Sequence, residues 1–189
     1  MQQGLDRSFG PLIATVLPGF VLLAGVATRV PEIAVWMLGV GPSDPTIGGV
    51  FYVTAASTLL GMLLGALRWA TIDQIFAFSG LRRPAWNDRR LIEALPAFTR
   101  LVDDHYRYYQ FYSNTAIALA GAFLLWRSSP HATGHEPGWV ELGLSLIVLV
   151  LLAASRDALS RYYRRTGLLL DTLKEDTDDQ RKPPEANAR

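Results

Sequence analysis

An all-α polytopic membrane protein, with four transmembrane helices and helical extensions on the cytoplasmic side, is the fold class this sequence predicts. Half of the 189 residues are hydrophobic and only 19% are charged, whereas a soluble domain carries about a quarter charged residues. The apolar residues arrive in long uncharged blocks separated by Arg-rich segments, a distribution that the mean hydropathy of +0.18 conceals. Residues 59–67 (LLGMLLGAL) and 146–152 (LIVLVLL) are apolar all the way round a helix. A surface helix of a soluble protein keeps a polar stripe at helical spacing.

The spans follow from length. A helix needs roughly 20 apolar residues to cross the hydrocarbon core. Uncharged Pro11 to Thr28 and Thr46 to Leu67 supply the first two, read with their flanks as about 10–29 and 46–69. Asn114 to Trp126, lengthened by the aromatic run from Tyr109, gives a third over 109–127. Trp139 to Ser155 gives a fourth over 138–156, with Glu141 close to its start. The first span is expected to be uncleaved, because Asp6 offsets Arg7 ahead of it and Pro18-Gly19 interrupts it. That same Pro-Gly step is the single hint of a broken helix.

Orientation follows from charge. Of the 18 Lys and Arg, only Arg29 and Arg127 fall outside when the termini and segment 68–113 share one side, so 16 lie together. The positive-inside rule makes that side cytoplasmic, and the excess of Arg over Lys, 16 to 2, fits the expected location in a bacterial inner membrane. Trp69, Trp126 and Trp139 sit at the expected water–lipid boundaries. Ile33 to Val40 in the first outer loop reads as a short surface helix, and Glu141 as an anion at the N-terminal end of its helix dipole.

On the cytoplasmic side, Asp73 to Phe78 extends the second span until Gly80 stops it. Leu81 to Trp86 reads as a turn, with Asn87 or Asp88 capping the next helix. Leu91, Ile92, Leu95, Phe98, Val102, His105 and Tyr109 then mark an amphipathic helix running into the third span, kinked near Pro96. The fourth helix continues over 157–176 with Leu159, Tyr162, Tyr163, Leu170 and Leu173 on one side. Residues 177–189 are polar and aromatic-free, which predicts a disordered tail after a single domain over 1–176.

Candidate site residues fall into four groups. Ser57, Gly61 and Gly65, with Ala118 and Ala122 as a weaker instance, are small residues at steps of four that let helices approach closely, within the chain or between copies. Arg82, Arg83, Arg89 and Arg90 form the tip of the cytoplasmic segment, and Arg161, Arg164 and Arg165 a second basic patch suited to a partner or to anionic lipid. Asp103, Asp104, His105 and Arg107 form the densest polar cluster, but consecutive residues splay around a helix rather than converge. Tyr52, Thr54, Ser57 and Thr58 are the polar side chains of the second span that would line a pore.

No cysteine is present, which excludes disulfides, thiolate nucleophiles and iron–sulfur clusters. A net charge of +1 gives no reason to expect nucleic-acid binding. His131 and His135 lie four apart but in a Gly/Pro loop without a third ligand, so neither metal nor cofactor is expected. The expected function is an oligomeric anchor, scaffold or sensor subunit that presents a cytoplasmic helical platform to a soluble protein and contacts membrane lipids. The alternatives are a regulated pore or membrane-disrupting effector and, third, an enzyme acting on lipid phosphate headgroups.

Overall fold

The computed structural model describes residues 2–38, 47–84, 86, 92, 95–130 and 138–181. Among these the chain is entirely helical, with no strand. Helix α1 (Gln2–Ala27) leads through a short turn to α2 (Pro31–Leu38), and α3 (Ile47–Ala70) returns alongside α1. Helix α4 (Ile72–Phe78) continues the axis of α3 past an irregularity at Thr71, whose hydroxyl donates to the Leu67 carbonyl. Helix α5 (Leu95–Leu101) runs through one π-helical turn, Val102–Tyr106, into α6 (Arg107–Arg127), and α7 (Trp139–Arg181) closes the chain.

Two of these rods, Ile47–Phe78 and Trp139–Thr172, are long and apolar enough to cross a membrane, and Leu12–Ala27 is a shorter apolar helix. Only 17% of the apolar window of each long rod is buried. Phe51, Leu59, Met62, Leu146 and Leu149 all face outward. Exposure of this kind is costly in water and neutral in hydrocarbon.

The packing is antiparallel along the chain order. Helix α1 lies between α3 and α6, and α7 packs on α6. The α1–α3 contact is made backbone to backbone. A Cβ on Gly19 would run into the Ser57 carbonyl and stand 2.7 Å from the Gly61 nitrogen, and one on Gly61 would strike the Thr15 carbonyl. Where α1 meets α6, a Cβ on Gly25 would collide with Ala122. These close approaches place Ser57, Gly61 and Ala122 in contacts within one chain, and Ala118 is fully buried there. Gly65 alone of the small-residue set meets nothing within 4 Å.

Pro18-Gly19 does not break α1. Proline has no N–H to offer the carbonyl four residues back, which is Ala14. The buried Asn114 amide nitrogen of α6 donates to that carbonyl at 3.2 Å. The orphaned acceptor is thereby satisfied from a neighbouring helix, and Gly19 serves close packing instead of a bend.

Helix α4 ends as expected at Gly80, which adopts φ 89°. The Leu81 N–H donates to the Phe76 carbonyl and the Gly80 N–H to the Ala77 carbonyl, the paired bonds of a glycine-terminated helix. The stretch leading up to Pro96, where a kink is expected, lies partly outside the described residues. Pro96 occupies the first described turn of α5, and the irregularity among the described residues is the π turn that follows. Ile92 and Leu95, expected on the inner stripe, face outward, while Phe98 and Val102 pack inward. Helix α7 reaches Arg181, beyond the start of the segment expected to be disordered. At the N-terminus of α7, Glu141 accepts from the Gly138 N–H at 2.8 Å and lies 3.9 Å from Arg127.

Candidate functional site

Along α3 and α4, Leu64, Arg68, Ile72 and Phe76 recur every four residues and all are buried. Arg68 is therefore a guanidinium set within an otherwise apolar stripe, with only 7% of its surface exposed. Tyr109 of α6 lies opposite at 1% exposure, and Ala158, Leu159 and Tyr162 of α7 complete the packed cluster. The Arg68 guanidinium stands 4.9 Å from the Tyr109 ring centre and 6.0 Å from that of Tyr106. The Tyr109 hydroxyl donates to Asp73 Oδ1.

A cation and a carboxylate are thus joined through a phenol rather than in direct contact. Among the described residues Arg68 makes no ion pair, and its Nε and Nη1 are buried without an acceptor. Taking a charge out of water costs several kcal/mol, and each cation–π contact returns about 2 kcal/mol when desolvated. The two rings offset part of the cost and leave donors to spare.

Around this centre the aromatic rings form a shell. Tyr106 lies 5.6 Å from Tyr109 and 5.2 Å from Tyr162. Trp86 packs edge-on against Tyr162 and Tyr163, and Arg83 stacks 4.9 Å over Trp86. Beyond the apolar stretch of α7, burial pushes the Tyr162 phenol up to about 12, the neighbouring Tyr106 adds to the rise, and Arg83 opposes it. The Tyr162 hydroxyl accordingly stays protonated at neutral pH. The indole N–H of Trp86 is buried with no acceptor.

A cavity of about 240 Å³ opens beside this shell, lined by Asp73, Ala77, Leu81, Arg82, Arg83, Tyr106, Tyr109, Leu159 and Tyr163. Its volume equals about eight waters. Charged and hydroxyl groups from three separate stretches of chain converge on it, with no nucleophile–base pair among them.

The polar residues expected from the sequence are placed differently from one another. Asp103 pairs with Arg107 at 2.8 Å, Asp104 lies 3.9 Å from Arg100, and the half-buried His105 keeps its Nε2 without a partner, so the three do not converge. Arg161 pairs with Asp157 at 2.8 Å, while Arg164 and Arg165 are exposed on α7. Arg82 and Arg83 are brought together at the cavity. Arg89, Arg90, Asn87, Asp88, His131 and His135 lie outside the described residues. Thr54, Ser57 and Thr58 fall on one side of α3 and Tyr52 on the other. Ser57 is buried against α1, Thr54 and Thr58 donate to their own helix, and Tyr52 packs on Trp36 at 4.2 Å. Among the described residues no three acids or histidines are placed to hold a metal.

Arg68, Asp73 and Asn114 as working residues are what sequence reasoning missed. For Arg68 a signal existed: it falls in phase with Leu64, Ile72 and Phe76. Comparisons with protein families, with curated proteins and with solved structures found no match to this chain.

Proposed function

We propose that the chain is an oligomeric anchor subunit of a bacterial inner membrane, acting as a scaffold or sensor. It crosses four times with both termini cytoplasmic, and holds a soluble protein on its cytoplasmic helical layer. The observation that carries this reading is the length of α7. Its 43 residues extend about 64 Å, whereas about 20 residues suffice for the hydrocarbon core. The surplus length forms, with α4, α5 and the 81–86 turn, a packed layer outside the apolar slab. That layer still exposes Phe78, Ile92 and Leu168, apolar surface of the kind a protein partner covers.

The open face at Gly65 supports assembly of copies, since it is the part of the small-residue stripe that no helix of this chain uses. A pore through the second span has less support, because Ser57 is buried against α1 and Tyr52 packs on Trp36.

A photo-crosslinking side chain at Phe78 tests the reading in living cells. A discrete adduct to one soluble protein, absent when the probe sits at Met62, is the expected result. Adducts to lipid or to this chain alone at both positions would overturn the partner role.

A further inference from the structure

The cavity beside Tyr109 is surrounded by an excess of donors over acceptors. Arg82 and Arg83 line it, as do the hydroxyl-bearing Tyr106 and Tyr163. Arg68 stacks on the Tyr109 and Tyr106 rings, outside the lining, with Nε and Nη1 unsatisfied. Asp73 is the one carboxylate in the lining, and it already accepts from Tyr109. Two guanidinium groups against one engaged carboxylate leave the lining with a net charge of +1.

We infer that this cavity binds a phosphate group, as the anionic headgroup of a phospholipid or as a soluble phosphate compound. A phosphate supplies only acceptors and negative charge, the two quantities this pocket lacks. About 240 Å³ is below the usual 300–1,000 Å³ of drug-sized sites and holds a phosphate with a small polar substituent. The position suits a headgroup. Arg68 and the exposed Trp69 close the apolar run of α3, where headgroup phosphates meet the hydrocarbon edge. This site stands independently of whether the helical layer holds a protein partner.

The test uses the full chain in neutral detergent, following thermal stabilisation by dioctanoyl phosphatidylglycerol, by inorganic phosphate and by dioctanoylglycerol. Each arginine is worth about fivefold in affinity, so Arg82→Gln with Arg83→Gln weakens binding about 25-fold. Arg100→Gln with Arg156→Gln removes the same charge at exposed positions outside the cavity and keeps wild-type affinity. Tyr163→Phe weakens binding about tenfold through loss of one donor. Stabilisation by phosphatidylglycerol alone assigns a lipid headgroup. Equal stabilisation by inorganic phosphate assigns a soluble phosphate ligand. No stabilisation beyond dioctanoylglycerol, or equal loss in both arginine pairs, overturns the inference.

Discussion

Around Gly19, Gly25 and Gly61 the helices meet backbone to backbone, while around Tyr109 they are separated by aromatic rings and a buried guanidinium. The first region buries little side chain and gains from close van der Waals approach, the means available where surrounding lipid removes the hydrophobic drive between helices. The second relies on burial of large rings and on charge-assisted bonds, the means that work next to water. The contrast places a physical boundary near Arg68, inside a continuous helical rod. On one side small residues decide the packing, and on the other hydroxyls and cations do.

Substitutions that exchange the rules of the two regions sharpen this contrast. Gly61→Leu forces a side chain into the Thr15 backbone, which cannot give way, and is expected to cost about 3 kcal/mol by equilibrium unfolding in mixed micelles. A smaller effect comes from Asn114→Ala, which strands the Ala14 carbonyl and costs about 2 kcal/mol. Pro18→Ala restores an N–H for that carbonyl, so the pair should be non-additive by about 1 kcal/mol in a double-mutant cycle. If the two effects simply add, the proline–asparagine repair is wrong. Tyr109→Phe keeps the ring and removes the bond to Asp73, for a loss of about 1.5 kcal/mol. Gly65→Ala touches nothing in the monomer, and its helix propensity raises monomer stability by up to about 1 kcal/mol.

Much of the architecture was legible because apolar length and glycine punctuation are local signals. The long apolar rods, the stop at Gly80 and the inner stripe of Leu159, Tyr162 and Leu170 need only neighbouring residues to be seen. What stayed hidden depends on distant partners. Pro18-Gly19 reads as a break until the amide of Asn114, 100 residues away, is brought to the freed carbonyl. Asp73 lies one residue out of phase with Ile72 and Phe76, and its partner Tyr109 is 36 residues on, so no spacing rule joins them. The small-residue stripe announces close packing but not its partner helix. Ser57 and Gly61 turn out to face α1 of the same chain, whereas a Cβ on Gly65 meets nothing within 4 Å. The clustering of Asp103, Asp104 and His105 is sequential rather than spatial, as their consecutive positions imply.

The central claim is that the boundary near Arg68 is the membrane surface, with α4 and the distal part of α7 on the cytoplasmic side. Because the chain contains no cysteine, single cysteines at the exposed Ser79, Ser128 and Ser160 report their own side without background. In intact spheroplasts a membrane-impermeant maleimide should label Ser128→Cys, and should reach Ser79→Cys and Ser160→Cys only after permeabilisation. Labelling of all three before permeabilisation, or of Ser79→Cys together with Ser128→Cys, would contradict the account.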